Sequence, residues 1–369
     1  MPHPPLIHLV GGARPNFVKL APLFRALVAV DWCRVSLVHT GQHYDWTMSD
    51  GLLLDLGLPS PHVSLGVGSG THAQQTAGIM VAYEQVCLAS SPDWVVVVGD
   101  VNSTLACALV AAKLQVPVAH LEAGLRSFDR SMPEEINRVL VDALANLLWT
   151  PSPDADDNLL RAGISADRIH RVGNIMLDSY ELLRPRIDAQ HTAAGLGLAR
   201  REYGVVTLHR PTNVDDAHTL GGLVQTLGAL ARSRPLVFPL HPLTRRRLEQ
   251  FGLLDTLERT PGLVVMDALG YVAFMSLVQD AGFVITDSGC VQEETTYLGI
   301  PCLTLRDTTE RPITVLEGTN SLVRLEDLEE RVGRLPRGHL PPARRPHLWD
   351  GQTARRVVTS LQLQLQPST

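Results

Sequence analysis

Short runs of aliphatic and β-branched residues alternate along the chain with longer segments whose apolar residues recur at helical spacing. In the first half, strand-like runs occupy residues 6–10, 35–40, 94–98 and 116–121, and helical segments occupy residues 17–30, 71–90, 103–114 and 134–148. Parallel strands that are joined through helices bury both faces of their sheet. The alternation therefore predicts an α/β fold with a doubly wound parallel sheet, as in a Rossmann-like domain.

The second half of the chain repeats this pattern. The alternation pauses near residues 171–174 and resumes beyond a polar stretch rich in glycine and alanine, after which strand-like runs occupy 204–208, 236–240, 263–266, 283–286 and 302–305. A chain of 369 residues is long enough for two domains of roughly 150 residues each. We predict two Rossmann-like domains, at 1–173 and 174–352. A last helix at 353–365 is expected to cross back, so that 353–369 belongs to the first domain.

The composition excludes several classes of protein. A formal net charge of −6 argues against a protein that coats nucleic acid. The five cysteines are odd in number, widely spaced and without a C-x-x-C pair, so neither a disulfide framework nor a zinc site is indicated, and most should fill the core. No apolar run approaches the ~20 residues of a membrane span, and the first residues lack the features of a signal peptide. We expect a soluble, cytoplasmic protein with no membrane or nucleic-acid partner.

The residues that follow each strand are the first candidates for chemistry, because ligands of open α/β sheets bind beyond the carboxyl ends of the strands. The first run ends in a Gly11-Gly12 turn that opens a helix bearing Arg14 and Lys19. Helix amino termini carry unpaired N–H groups and a partial positive charge, so this turn is a candidate anion site. An ordinary strand-to-helix turn with solvated charges is the alternative.

Carboxylates follow the next strands. Asp100 follows the third run, Glu122 follows the fourth, and Glu134 and Glu135 open the helix after it. Capping of the following helix would account for Asp100 alone, and the helix dipole suffices to explain Glu135. Carboxylates at adjacent strand ends nevertheless indicate a candidate catalytic site.

The second half places positive charge and small residues at strand ends. His209 and Arg210 follow its first run, and Ser288 and Gly289 open a helix after the run at 283–286. Amides at that helix start are suited to phosphate oxygens, and Glu294, one turn inside, to a ribose diol. A capped helix with acids favoured by its dipole is the alternative.

Two further features are less specific. His241 follows the second run of this half and is interpreted as a structural residue. The charged loop at 306–312, which contains Arg311, is either an interdomain ion-pair network or a substrate loop.

Eight sequence blocks together resemble the non-hydrolysing UDP-N-acetylglucosamine 2-epimerase family, in the family's order and across nearly the whole chain. They are GARPxxxK at 12–19, TGQHYD at 40–45, GDxxST at 99–104, HxEAGLR at 120–126, PEEINR at 133–138, TLHR at 207–210, TDSGxxQEE at 286–294 and RDTTERP at 306–312.

The resemblance implies a GT-B-like pair of domains with a ligand cleft between them, UDP held mainly by the second domain, and a homodimer. It also assigns roles to individual residues. The residues that match the diphosphate positions are Arg14, Lys19, His209, Arg210, Ser288 and Gly289, and His209 is also counted as catalytic. Glu294 matches the ribose ligand, and Phe274 matches the uracil contact. The acids that match the proton-transfer positions are Asp100, Glu122 and Glu134, and Arg138 matches a basic residue near them. Arg311 is grouped with the substrate-binding residues.

The chemistry that the resemblance implies is consistent with this set. The C2 hydrogen of UDP-N-acetylglucosamine has no adjacent carbonyl group, so the bond to UDP must break as well. Anti elimination of UDP gives a 2-acetamidoglucal, and UDP adds back as a proton reaches C2 from the opposite face. Carboxyl groups serve the two faces, and fixed cations stabilise the leaving diphosphate. The scheme requires no cofactor and no metal.

Some residues depart from the family pattern. Cys290 stands where many members have a second glycine, and Tyr44-Asp45 differs from members that a second substrate molecule activates, so we expect no such activation. The segments 127–129 and 207–211 also resemble relatives that epimerise UDP-2,3-diacetamido-glucuronate, whereas 308–312 is closer to the UDP-N-acetylglucosamine branch. A hydrolysing epimerase, a GT-B glycosyltransferase and a non-catalytic nucleotide-sugar sensor are the remaining alternatives.

Overall fold

The computed structural model describes residues 3–41, 53, 55–342 and 344–365. These residues form two compact units, of which the first is Met1–Leu182 with His347–Thr369 and the second is Leu183–Pro346. Residues 42–45 of the block at 40–45 lie outside the described residues, and so does the expectation about substrate activation that rests on Tyr44 and Asp45.

The first unit contains a parallel sheet, with seven strands among the described residues. They are β1 (Leu6–Gly11), β2 (Arg34–His39), β3 (Val63–Ser64), β4 (Trp94–Val98), β5 (Val118–Leu121), β6 (Leu147–Thr150) and β7 (Ile169–Arg171). Their order across the sheet is β3-β2-β1-β4-β5-β6-β7. The order of the strands therefore reverses between β1 and β4, which is where open α/β sheets bind their ligands.

The helices of this unit connect successive strands. They are α1 (Arg14–Val28), α2 (His72–Ser90), α3 (Asn102–Lys113), α4 (Pro133–Leu144), α5 (Pro153–Arg161) and the start of α6 (Ile175–Gln190). The central strands β4 and β5 are buried along their whole length, as expected for strands that helices cover on both faces.

The helix predicted at 134–148 is wrong at its carboxyl end. Helix α4 ends at Leu144, and β6 begins at Leu147. Asn146 causes the break, because its side chain accepts the Val118 N–H at 2.9 Å and its own N–H donates to the Val118 carbonyl at 2.7 Å. A short apolar run fits either a helix or a strand, so periodicity alone does not reveal such a boundary.

The second unit contains another parallel sheet, with six strands among the described residues in the order β10-β9-β8-β11-β12-β13. Its elements are α7 (Thr192–Gly195), β8 (Gly204–Thr207), α8 (Pro211–Val214), α9 (Ala217–Ala231), β9 (Leu236–Leu240), α10 (Pro242–Gln250), α11 (Leu254–Glu258), β10 (Leu263–Asp267), α12 (Tyr271–Asp280), β11 (Phe283–Thr286), α13 (Gly289–Leu298), β12 (Cys302–Thr304), α14 (Ile313–Leu316), β13 (Asn320–Leu322) and α15 (Leu328–Gly333). The strand order reverses between β8 and β11.

The last helix, α16 (Thr353–Leu365), packs against α1 within the first unit. Asp178 accepts hydrogen bonds from the first N–H groups of this helix, at 3.0 Å from Thr353 and 2.8 Å from Ala354. Ser360 accepts from the indole N–H of Trp149 at 2.9 Å. These polar contacts fix the helix against α6 and β6.

The prediction that most of the cysteines fill the core is confirmed. Cys33, Cys87, Cys107 and Cys302 are buried free thiols, and Cys290 is half-buried. Among the described residues, no helix combines the length and hydropathy needed to cross a bilayer.

Candidate functional site

A buried ion pair lies beside the carboxyl ends of β4 and β5. Lys19, on the first turns of α1, contacts Glu122, which directly follows β5. Glu122 has a backbone φ of +70°, a strained conformation for a residue with a side chain. Its Oε1 atom is buried and has no hydrogen-bond partner among the described residues. One carboxylate oxygen is therefore neutralised by Lys19, and the other has no hydrogen-bond donor in the part of the chain that the structure describes.

The second predicted acid, Asp100, is fixed by Arg138. Its Oδ2 accepts from Arg138 Nη2 at 2.6 Å and from Nε at 3.0 Å. The remaining terminal nitrogen, Nη1, donates to Glu135 Oε2 at 2.8 Å. Arg138 is buried, whereas the Asp100 side chain is 29% exposed. The guanidinium thus orients a carboxylate that solvent or a ligand can reach.

Glu135 has a structural environment that the helix dipole alone does not explain. Its carboxylate accepts the Ser127 N–H at 2.9 Å and the Phe128 N–H at 3.1 Å, in addition to Arg138. Burial alone would raise its pKa, but the hydrogen bonds from Ser127 and Arg138 lower it below the ordinary value. Glu135 is not among the site residues predicted from the sequence; its place beside Glu134 and three residues before Arg138 was the available signal.

Asparagines hold the backbone around Asp100. The Asn137 side-chain amide donates to the Asp100 carbonyl at 2.8 Å, and the Asn102 amide donates to Gln75 at 2.8 Å. Helices α2, α3 and α4 therefore all contribute to the position of the turn after β4. Asp100 does not cap α3, since the N-cap residue is Val101 and makes no side-chain cap bond.

The remaining predicted residues of the first unit are more exposed. Arg14, the first residue of α1, is exposed, and Glu134 is half-buried on the first turn of α4. Neither side chain forms an ion pair or hydrogen bond with another residue of the described ranges. Asn16 already accepts the N–H groups of Gly12 at 3.2 Å and Ala13 at 2.9 Å, so these two groups are not available to an anion. The predicted anion site in this turn therefore depends on the positive charges of Arg14 and Lys19.

The second unit places His209 and Arg210 around a buried aspartate that the sequence analysis did not select. The fully buried Asp287 accepts both backbone N–H groups, from His209 at 3.0 Å and from Arg210 at 2.9 Å. Its Oδ1 also lies 3.2 Å from His209 Nδ1. This contact orients the His209 ring and leaves Nε2 on its other side. Asp287 follows β11 within the block at 286–294, which was the signal available.

The start of α13 lies under an arginine. An added Cβ at Gly289 would be 2.7 Å from Arg311 Nη1, so the guanidinium approaches the helix start only because this residue is glycine. Arg311 Nε lies 2.7 Å from Glu293 Oε1, so the two side chains form an ion pair. Ser288 and Gly289 are half-buried. The structure thus brings Gly289 and Arg311 together, although they are separate blocks in the sequence.

The charged loop at 306–312 forms an ion-pair network within the second unit. Glu310 accepts from both terminal nitrogens of Arg306, at 2.8 and 2.9 Å, and lies 3.3 Å from Arg210 Nη2. Burial would raise the pKa of Glu310, but the Arg306 hydrogen bonds and the charges of Arg311, Arg306 and Arg210 hold it well below the ordinary value. Glu310 therefore connects Arg210 and Arg311, two predicted substrate ligands.

Glu294 and Phe274 complete the predicted set. Burial raises the pKa of Glu294 to about 8; the charge of Glu293 reinforces this shift and a hydrogen bond from Tyr271 opposes it. Phe274, on the first turn of α12, is half-buried. His241 caps α10 by accepting the Leu243 N–H at 3.2 Å, which agrees with its interpretation as a structural residue.

Comparisons relate the chain to proteins of described activity. A family model for UDP-N-acetylglucosamine 2-epimerase matches residues 25–362. The UDP-N-acetylglucosamine 2-epimerase of Methanocaldococcus jannaschii is 42% identical over 324 residues, which cover 86% of this chain and 88% of the relative. The UDP-2,3-diacetamido-2,3-dideoxy-D-glucuronate 2-epimerase of Pseudomonas aeruginosa is 42% identical over 316 residues, which cover 85% of this chain and 86% of the relative.

The fold is similar to that of a solved enzyme. The crystal structure of the M. jannaschii UDP-GlcNAc 2-epimerase in complex with UDP-GlcNAc and UDP has a TM-score of 0.88 and 39% sequence identity, with 97% of this chain and 99% of that chain covered. This agreement confirms the predicted fold class of two doubly wound α/β domains of GT-B type.

Proposed function

Because the chain belongs to the UDP-N-acetylglucosamine 2-epimerase family, a family of isomerases, we propose that it interconverts UDP-N-acetylglucosamine and UDP-N-acetylmannosamine by inversion at C2. The observation that carries this proposal is the pair of oriented carboxylates at adjacent strand ends. Glu122 is paired with Lys19, and Asp100 is paired with Arg138. A protein that only bound a nucleotide sugar would have no need of two such acids.

The reaction requires two events at neighbouring carbons. A base removes the C2 proton while the C1–O bond to UDP breaks, which gives the 2-acetamidoglucal by anti elimination. UDP then adds back at C1, and an acid delivers a proton to C2 from the opposite face. Each well-placed acid or base contributes on the order of 10²–10⁴-fold to the rate.

Residues of the first unit are suited to the proton transfers. One carboxylate oxygen of Glu122 accepts no hydrogen bond from any described residue. The partly exposed carboxylate of Asp100 is held by two hydrogen bonds from the guanidinium of Arg138. Glu134 is the third acid, and its side chain makes no bond within the described ranges. We assign Asp100, Glu122 and Glu134 to the proton transfers without distributing the two faces of the sugar among them.

Residues of the second unit are suited to the UDP group. His209 and Arg210 are held by Asp287, and Arg311 lies over the start of α13 beside Ser288 and Gly289. Fixed cations and oriented N–H groups stabilise the charge that develops on a leaving diphosphate. We further assign Glu294 to the ribose, Phe274 to the uracil, and Arg14 and Lys19 to the diphosphate.

A second candidate substrate is the corresponding diacetamido-glucuronate. The Pseudomonas aeruginosa relative named for that substrate is 42% identical, as is the M. jannaschii enzyme. The two reactions share the chemistry at C1 and C2 and differ in the groups on the far side of the sugar ring. We favour UDP-N-acetylglucosamine because the segment at 308–312 is closer to that branch.

The test is incubation of the pure protein with UDP-N-acetylglucosamine in D2O, followed by NMR of the sugar. The expected result is deuterium at C2 together with a UDP-N-acetylmannosamine signal. Exchange only with UDP-2,3-diacetamido-glucuronate would establish the second candidate instead. Release of free N-acetylmannosamine would indicate a hydrolysing enzyme. Release of UDP that depends on an acceptor would indicate a glycosyltransferase, and binding without turnover would indicate a sensor.

The same family relationship supports a cytoplasmic homodimer. Sedimentation equilibrium of the purified protein would measure the mass in solution, and the expected result is twice the chain mass of 40.3 kDa.

A further inference from the structure

His120 is fully buried next to the proposed acids, and both of its ring nitrogens face oxygen atoms. Nδ1 lies 2.7 Å from Asp142 Oδ1, and Nε2 lies 2.9 Å from the carbonyl oxygen of Gly99. A backbone carbonyl can only accept a hydrogen bond. Nε2 therefore carries a proton, and the remaining question is which partner holds the proton between Nδ1 and Asp142.

The second oxygen of Asp142 answers that question. Oδ2 accepts from Arg126 Nη1 at 2.6 Å and from the Gly124 N–H at 3.2 Å. A guanidinium and an amide donor on the same carboxyl group favour its ionised form. The proton of the 2.7 Å contact is therefore assigned to His120, so that both ring nitrogens act as donors.

A second buried histidine provides a contrast within the same sheet. His8 is 1% exposed, and its nitrogens lie 3.1 Å from the hydroxyl of Tyr83 and 3.2 Å from that of Ser90. Hydroxyl groups can donate as well as accept. Burial lowers the pKa of His8 to about 4, so this ring is neutral. Partner chemistry, and not burial, is what distinguishes the two rings.

The partners of His120 belong to the elements that carry the proposed acids. Gly99 precedes Asp100 and has a φ of +68°, and Gly124, with a φ of +81°, lies two residues after Glu122. Asp142 lies on α4, which also carries Arg138 and Glu134. The charged groups around this cluster include Asp142 and Arg126, which contact each other directly, and Lys19 and Glu122, which lie near Gly99.

We propose that His120 is a positioning residue that, as a buried imidazolium bridging Gly99 and Asp142, fixes Asp100 and Glu122 relative to each other. The bridge connects the turn after β4, the loop after β5 and helix α4. Its hydrogen bonds form only when the His120 ring and the Asp142 carboxylate are charged and correctly oriented. Rotation of the Gly99 peptide would break the Nε2 bond and redirect Asp100. The positioning role rests on the proposed function of these two acids. The charge of the His120 ring is independent of that function.

The charge is tested first, on the unmodified protein. In ¹⁵N NMR of histidine-labelled protein at neutral pH, an imidazolium gives two similar ring-nitrogen shifts, and a neutral ring gives two widely separated shifts. The expected spectrum has the imidazolium pattern for His120 and the neutral pattern for His8, each assigned by its absence from the His→Gln variant. A neutral pattern for His120 would overturn the proposal, whatever reaction the enzyme catalyses.

The positioning role is tested with two isosteric variants. The amide nitrogen of glutamine replaces Nε2, so His120→Gln keeps the bond to Gly99, whereas that of asparagine replaces Nδ1, so His120→Asn keeps the bond to Asp142. We expect kcat to fall about 10²-fold in His120→Asn, because a misplacement of about 1 Å has that effect, and clearly less in His120→Gln. KM and the affinity for UDP should stay close to wild type in both, and His8→Gln is the matched control.

A purely structural role would give a different result. In that case the melting temperature and kcat would fall together in each variant, and kcat would not differ between His120→Asn and His120→Gln. Such a result would show that the proposal is wrong. If the wild-type protein does not turn over UDP-N-acetylglucosamine, the proposed function is wrong. The NMR spectrum still decides separately whether the His120 ring is charged.

Discussion

Lys19 and Glu122 form a buried ion pair although 103 positions separate them in the chain. Lys19 comes from the helix after β1, and Glu122 comes from the end of β5. The pair places a cation beside a candidate catalytic acid at the point where the strand order of the sheet reverses.

Removal of the lysine should destabilise the protein through the carboxylate that is left behind. In Lys19→Met, Glu122 remains buried without its counter-charge, and breaking a buried pair in this way costs about 3–5 kcal/mol. The double variant Lys19→Met/Glu122→Gln should recover most of that loss in urea unfolding but none of the C2 exchange activity. Equal stability of the single and double variants would show that the pair is not coupled.

Glu134 and Glu135 form a matched test of neighbouring residues. Glu135→Gln loses its charge-assisted bond to Arg138 and weakens the bonds from Ser127, so the free energy of unfolding should fall by about 1–3 kcal/mol. Glu134→Gln should leave unfolding within about 0.5 kcal/mol and lower kcat by about 10²–10⁴-fold. Urea titration and the deuterium assay measure both quantities, and wild-type kcat in folded Glu134→Gln would remove that residue from the mechanism.

Gly289→Ala should weaken UDP binding. The new Cβ would lie 2.7 Å from Arg311 Nη1, so the guanidinium must move away from the start of α13. We expect the Kd for UDP in calorimetry to rise about tenfold, which corresponds to about 1.4 kcal/mol. Gly221→Ala is the control, since no atom lies within 4 Å of its added Cβ; identical affinities in the two variants would contradict the contact.

Glu294 should make stability depend on pH. Its pKa is raised from 4.5 to about 8, so the folded state holds a proton that the unfolded state releases between these values. The free energy of unfolding therefore falls as pH rises from about 4.5 through 8, relative to a variant without this group. Urea titrations of wild type and Glu294→Gln should show a difference that changes steadily between about pH 5 and pH 8. Parallel curves would contradict the burial of this carboxyl group.

Glu310 should contribute far more to stability than a surface glutamate in a similar ion pair. Glu310→Gln leaves the buried Arg306 without its bidentate partner, with an expected loss of about 3–5 kcal/mol. Its depressed pKa predicts that this contribution is present at neutral pH and is lost as pH falls below the ordinary value. Glu330→Gln, which removes an exposed pair with Arg334, should cost less than about 1 kcal/mol. A similar loss in both variants would contradict the buried network.

The sequence alone determined the alternation of strands and helices and, through the resemblance of its blocks, the family. The strands at Trp94–Val98, Leu236–Leu240 and Phe283–Thr286 have the predicted bounds, because central strands of a parallel sheet are buried on both faces and are therefore apolar throughout. Short strands at or near the sheet edges, such as Val63–Ser64 and Ile169–Arg171, are partly exposed and lack that signal.

The tertiary structure decided which of the candidate residues meet. Composition and spacing place Glu134 and Glu135 side by side, yet consecutive residues of a helix point in directions about 100° apart. Helical spacing puts Glu135 near Arg138, but only the packing of α4 against the turn after β4 buries this face and leaves Glu134 half-buried. Likewise, the partners of Asp287 and His120 come from segments that the sheet order brings together, and contacts between distant segments leave no periodic pattern in the sequence.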